Sequence, residues 1–173
     1  MQAHTFFKAV TLDQSGMLDR FVALIETHHL NYCAIDSQAV NAYVEPLVSL
    51  DLDVVIAADQ LKETESLLAQ EFEVKSFPHS LNVSAVGSDL RVQIQTDPRY
   101  TDFLKRATMR EVLGKVMQVA ALEDVLQGKV WAAQDSQRRG SKRQKDLADI
   151  ARIIEAYPDL RAQVPTEILQ RLL

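Results

Sequence analysis

The run Leu52-Asp53-Val54-Val55-Ile56-Ala57 constrains the chain more than any other segment. Its β-branched content makes it a strand, and Asp51 and Asp53 stand at its start. Side chains two apart on a strand share a face, so the two carboxylates project together while Leu52 and Val54 project the other way. Carboxylates held side by side repel each other unless a cation joins them. Hard ions such as Mg²⁺ take oxygen ligands and keep several waters, which suits a pair of aspartates at a sheet edge. Two such ions can clamp a nucleoside triphosphate for in-line phosphoryl or nucleotidyl transfer. Alone the pair is a weak signal, because the exposed start of any strand tolerates aspartate.

The elements around this strand set the fold class. Met17, Leu18, Phe21, Val22, Leu24 and Ile25 give an apolar face at helical spacing over about residues 14–29. Asn31 to Ile35 reads as a strand and Gln38 to Val44 as a helix, with another helix at about 60–71. Leu81, Val83 and Ala85 alternate with polar residues, as do Leu90, Val92 and Ile94, and Gly87-Ser88 between them suits a two-residue type II′ hairpin turn. Asp97-Pro98 marks a helix start, opening a helix to about Arg106. A strand near Lys115–Val119, a helix over 122–134, a polar linker from Gln134 to Lys142 and a helix from Gln144 to Ala156 follow. Pro158 stops that helix and Pro165 opens a short last one. The order predicts an α+β fold with a mixed sheet and a helical C-terminal half.

At 173 residues the chain holds one domain, 1–173, with a sizeable core. Its net charge of -5 argues against general nucleic-acid binding, although a local basic cluster could still serve a phosphate. The single cysteine, Cys33, rules out an internal disulfide and a cysteine-built metal site, and its apolar surroundings predict a buried thiol. Met1 to Lys8 lack the hydrophobic region of a signal peptide, and no apolar run reaches the length of a membrane span. A cytoplasmic protein without a membrane partner is expected. His4, His28, His29 and His79 show no metal-ligand spacing, and His28-His29 read as a helix end.

Three further segments join the aspartate pair. Ala34-Ile35-Asp36-Ser37-Gln38-Ala39-Val40 makes a strand-to-helix turn upstream of it, and Leu90-Arg91-Val92-Gln93-Ile94-Gln95 is a strand able to lie beside it. Val119 to Lys129 carries a lysine on an apolar helical stripe, and Arg143-Gln144-Lys145-Asp146-Leu147-Ala148-Asp149-Ile150 follows. In this order of elements the chain resembles the nucleotidyltransferase superfamily of polymerase-β-like fold. The small bacterial nucleotidyltransferase-like and AbiEii-type proteins are the nearest in pattern. The resemblance spans about residues 30–155. It implies Asp51 and Asp53 as catalytic metal ligands, Mg²⁺ as cofactor and a nucleoside triphosphate as ligand. It also places Ser37 at the phosphate turn and Lys129 near the triphosphate.

Two positions depart from the family pattern. Asp36-Ser37 stands where active members carry Gly-Ser or Gly-Gly, whose backbone approaches the triphosphate closely. Gln93 stands where the third carboxylate is expected, and glutamine brings neither charge nor a base. The site is therefore degenerate, which predicts an impaired enzyme. The alternative is a non-catalytic interaction module, such as a toxin–antitoxin component with a protein partner. Lys129 reads either as a phosphate ligand or as a lysine snorkelling at the rim of the core. Arg138, Arg139, Lys142, Arg143 and Lys145 form a basic cluster for a nucleotide phosphate, RNA or an acidic partner, or else a solvated loop neutralised by Asp146 and Asp149. No aromatic residues interleave it, which argues against single-stranded RNA. Trp131 reads as core, or as a surface on which adenine stacks.

Overall fold

The computed structural model describes residues 12–172, so the expectations for His4 and the N-terminal segment fall outside the described residues. The architecture is a seven-stranded mixed sheet with its two longest helices after the last strand. In chain order the main elements are α1 (Met17–Thr27), β1 (Tyr32–Ile35), α2 (Asp36–Asn41), β2 (Asp51–Ile56), α3 (Leu61–Leu68), β3 (Glu73–Phe77), β4 (Ser80–Ser84) and β5 (Arg91–Gln95). They continue with α4 (Phe103–Arg106), β6 (Thr108–Val112), β7 (Lys115–Val119), α5 (Leu122–Gln134), α6 (Gly140–Ala156) and α7 (Thr166–Leu169). No helix among the described residues is long and apolar enough to cross a membrane.

The strand order is β3-β4-β5-β2-β1-β7-β6. β2 pairs in parallel with β5 and β1 in parallel with β7, while the other neighbours are antiparallel. β2 alternates as its sequence requires: Leu52 and Val54 are fully buried, and Asp51 and Asp53 are only half-buried on the opposite face. β1 is buried along its whole length and sits beside β2 near the middle of the sheet. Its Cys33 is fully buried, and desolvation pushes the thiol up to about 12, so it is an inert core residue. Met17, Leu18, Phe21 and Ile25 of α1 pack into the same core as Leu52, Val92 and Ile94.

The sequence missed both edge strands. β3 and β6 are mostly exposed and carry Glu73, Lys75, Arg110 and Glu111, so neither shows the apolar alternation that marks a strand. Charge on an edge is a usual protection against edge-to-edge pairing. The β4–β5 hairpin forms, but residues 85–90 separate its strands and the expected two-residue turn is absent. Gly87 takes a left-handed φ of 83°, and its carbonyl accepts from Gln14 N–H at 3.0 Å, so the loop is drawn out to meet the segment before α1. The stretch after Asp97 is a 3₁₀ turn, Pro98–Tyr100, followed by the short α4, instead of one continuous helix. Asp97 does cap it, accepting from Arg99 N–H. α6 begins at Gly140, inside the expected linker, and Arg138 of that stretch closes on Asp146 of the helix itself.

Asp13 holds the start of α1. Its carboxylate accepts from the N–H of Met17 at 3.0 Å and of Leu18 at 3.4 Å, and from Ser15 Oγ at 3.0 Å. Burial alone would raise this carboxyl, but the donors outweigh it and hold it below its ordinary value. A carboxyl lowered on folding stabilises fully above its unfolded pKa of about 4, and the contribution disappears as pH falls through the folded value. Asp13→Ala should therefore cost about 1 kcal/mol at neutral pH. In urea unfolding the deficit should shrink as the pH is taken below the ordinary carboxylate range, and an equal deficit at neutral and acid pH would refute this role.

Candidate functional site

The site forms where the C-terminal end of β1 turns into α2 beside the first residues of β2. Asp36 makes the turn with φ of 59°, the left-handed conformation that glycine adopts freely. Aspartate is among the few other residues that enter this region. The backbone of the turn is thus the one a glycine would give, but a carboxylate stands on it.

That carboxylate meets Lys129. Lys129 projects from α5 into the interior, and its side chain is 2% exposed. Its Nζ makes an ion pair with Asp36 Oδ1 and lies 2.8 Å from Asp149 Oδ2 and 3.2 Å from Asp146 Oδ1. It also donates to Ser37 Oγ at 3.0 Å, and Ser37 Oγ donates in turn to Asp149 at 2.8 Å. Burial by itself would lower the ammonium, yet Asp36, Asp149 and Asp146 together hold it above its ordinary value. Lys129 therefore does not snorkel at the rim of the core: it lines the cleft, and its ammonium is held by three carboxylates and Ser37. The helical stripe that carries it points straight into a group of carboxylates.

The network continues outward. Arg138 closes on Asp146 with Nε at 2.5 Å from Oδ2 and Nη2 at 3.2 Å from Oδ1. Arg152 reaches Asp149 at 2.6 Å and Asn41 Oδ1 at 3.0 Å, tying α6 to the end of α2. Asp146 and Asp149 lie three apart on α6, which puts both on the face turned to α5. That spacing, beside a lysine on an apolar stripe, was the sequence signal for this cluster. Its absent element was the side-chain direction of Asp36.

Asp51 and Asp53 face a cleft of about 680 Å³, on the side of the sheet opposite to Leu52 and Val54. Asp51 pairs with Arg91 on β5 at 2.7 Å. Asp53 hydrogen-bonds Asp36, and burial, Asp36 and Asp51 push its carboxyl well above the usual carboxylate range. Burial would raise Asp36 as well, but Lys129 holds it below its ordinary value, so the two neighbouring carboxyls shift in opposite directions. Gln93 lies directly across from Asp53 in the β2–β5 register, where a third carboxylate would stand. Asp53 is thus a hard-oxygen ligand that must hold a proton or a cation, beside a second one in Asp51, and this donor set fits a divalent ion. No set of three His, Cys, Asp or Glu side chains converges on a metal position among the described residues. A cation would accordingly rest on two carboxylates and complete its shell from water or phosphate.

The opposite lip is basic. Arg139, Lys142 and Lys145 line the cleft at the start of α6, and none has a carboxylate partner among the described residues. Ser37 and Lys129 line it too, although each is committed to the network. Arg143 does not line the cleft, and its Nε is buried without a partner among the described residues. Trp131 belongs to an aromatic group packed on the core, stacked with Phe103 at 5.9 Å and edge-on to Tyr100 at 5.5 Å. Asp124, missed in the sequence, lines the cleft and holds Arg106 through two bonds of 2.8 Å.

No protein-family model matches the chain, and no curated protein matches it by sequence. Solved structures do match its fold. The solution structure of the antibiotic-resistance factor ANT(2'')-Ia aligns over 87% of this chain and 92% of its own, with 10% identity and a TM-score of 0.59. The lincosamide antibiotic adenylyltransferase LnuA aligns over 79% and 95%, with 11% identity and a TM-score of 0.53. A nucleotidyltransferase-like protein from Paracoccidioides brasiliensis aligns over 89% and 76%, with 16% identity and a TM-score of 0.51. The chain thus has the nucleotidyltransferase fold.

A buried lysine that neutralises buried carboxylates is structural even without a ligand. Lys129→Met should lower stability by about 3 kcal/mol in urea unfolding of the nucleotide-free protein, because it leaves Asp36 without its ion-pair partner and takes one of the two cations from each of Asp146 and Asp149. A lysine reserved for phosphate would leave stability within about 0.5 kcal/mol, and that result would overturn the assignment.

Proposed function

We propose that this chain binds a magnesium–nucleoside triphosphate in the Asp51/Asp53 cleft and transfers its nucleotidyl group slowly. The observation that carries the reading is a single cleft lined both by two side-by-side carboxylates and by three unpaired cations, Arg139, Lys142 and Lys145. Carboxylates suit a hard cation, the lip suits phosphate oxygens, and a cleft of about 680 Å³ falls in the usual range for a bound small molecule. The fold neighbours support it: ANT(2'')-Ia has been crystallised with adenylyl-2''-tobramycin, and LnuA is an adenylyltransferase.

In this reading Asp51 and Asp53 hold Mg²⁺, which when bound neutralises phosphate charge and orients the triphosphate for in-line attack. The lip cations anchor the phosphates at the open end of the cleft. Two residues slow the transfer. Gln93 cannot take a proton from an incoming hydroxyl. Asp36 presents a negative charge at the turn where backbone N–H groups would otherwise receive phosphate. Asp36 is already neutralised by Lys129, so its repulsion is reduced and binding survives where catalysis suffers.

Thermal unfolding tests the binding. Mg²⁺ with ATP or another nucleoside triphosphate should raise the Tm by several degrees, and Asp53→Ala should abolish the rise. No rise with any nucleotide would reject the reading. A second test restores what is missing. Asp36→Gly combined with Gln93→Asp should increase Mg²⁺-dependent release of pyrophosphate by on the order of tenfold or more, since both changes act on the charge developing in the transition state. An unchanged rate in a folded double variant that still binds nucleotide would show that these two positions do not limit the reaction.

A further inference from the structure

The sheet face beside the aspartates is a regular polar grid. Register pairs Asp53 with Gln93, Gln93 with Asn82 and Asn82 with Lys75, so these four side chains form one row on one face. Neighbouring strands lie about 4.8 Å apart, which puts Lys75 about 14 Å from Asp53 along the row. Arg91 and Gln95 flank Gln93 on the same face of β5, and Ser84 stands two residues beyond Asn82 on β4. Lys75, Asn82, Ser84, Arg91, Gln93 and Gln95 all line the cleft and are half-buried or exposed. The reverse face of the same strands, with Leu81, Val83, Val92 and Ile94, is buried.

The charges on this grid are one-sided once paired groups are set aside. Asp51 is taken by Arg91, Asp36 by Lys129 and Asp124 by Arg106. Asp53, tied to Asp36, is the last lining carboxylate. Glu73, two residues from Lys75 on the edge strand, does not line the cleft. Lys75 has no carboxylate partner among the described residues, and it lies on β3, across the aspartates from the α6 lip. The grid therefore offers three carboxamides, a hydroxyl and an unpaired ammonium, with no free carboxylate for an amine.

We infer that the acceptor laid on this face is a hydroxyl compound that carries a phosphate, and that a polycationic acceptor is refused. The inference rests on the nucleotide reading of the adjoining cleft. The amides of Asn82 and Gln93 donate to and accept from hydroxyls, the amide of Gln95, whose oxygen already accepts from Thr96 and Asp97 N–H, donates to them, and Lys75 receives the phosphate at the far end of the row. In the transfer, the acceptor oxygen bonds to the α-phosphorus and the bond from that phosphorus to its bridging oxygen breaks. Pyrophosphate leaves with the electron pair, and the hydroxyl proton passes to water because Gln93 cannot take it.

Side-chain amide NMR reads this face without any catalytic turnover. Ribose 5-phosphate and a 5′-phosphorylated ribotrinucleotide are titrated in turn, with and without Mg²⁺ and a non-hydrolysable ATP analogue, and tobramycin serves as the polycationic probe. Either phosphate probe should move the NH₂ signals of Asn82, Gln93 and Gln95, and Lys75→Glu should weaken that binding about tenfold. Movement with the trinucleotide alone identifies a nucleic-acid end as the source, and movement with both identifies a free sugar phosphate as sufficient. The inference is overturned if neither phosphate probe moves these signals, if tobramycin moves them, or if Lys75→Glu binds as well as the parent. Failure of the nucleotide reading shows separately, as backbone amides of Lys142 and Lys145 that ignore the ATP analogue.

Discussion

The burial of one ammonium among three carboxylates is the interaction on which the rest of this site depends. Lys129 joins α5 to the β1–α2 turn through Asp36 and Ser37, and to α6 through Asp146 and Asp149. An uncompensated charge at that depth costs several kcal/mol, so the helical half cannot move away from the sheet without breaking the group as a whole. The position of the cleft wall is a consequence. α6 starts where Arg138 can close on Asp146, and that start places Arg139, Lys142 and Lys145 at the opening opposite Asp51 and Asp53.

The same network decides which groups are left for chemistry. Ser37 and Lys129 have the residue types and the location of phosphate ligands, yet both spend their hydrogen bonds inside the protein. Asp36 is neutralised where a glycine would have left an open anion-binding turn. Asp53 is pushed well above the usual carboxylate range by burial and by Asp36 and Asp51, which a bound cation would offset. In the proposed reading, nucleotide recognition moves from the turn to the α6 lip. In the same reading the acceptor side falls to an amide-rich sheet face whose charge differs in kind from an amine-binding surface.

Much of this was legible in the sequence because it obeys simple periods. β2, β7 and α5 follow from alternation or helical spacing, and α5 matches its expected span of 122–134. The shared face of Asp51 and Asp53 follows from the strand period alone. The edges were not legible: β3 and β6 are polar because they are exposed, and their pairing is set by neighbours distant in sequence. The loop at 85–90 escaped for a similar reason, since its shape answers to Asp13 and Gln14 on another segment. At the site, the sequence located Asp36 and Lys129 separately, but only three-dimensional packing brings α2, α5 and α6 to one point. Arg143 looked equivalent to Lys145 in the sequence, and helical rotation turns it away from the cleft.

The central claim is that Lys129 serves the fold and leaves the phosphates to the α6 lip. Nitrogen-15 NMR of lysine side-chain ammonium groups, recorded with and without Mg²⁺ and a non-hydrolysable ATP analogue, tests it most directly. The account predicts a Lys129 ammonium signal that is protected from solvent exchange in the free protein and unmoved by nucleotide, while the signals of Lys142 and Lys145 shift. A Lys129 signal that exchanges rapidly in the free protein, or moves on nucleotide binding, would contradict the account.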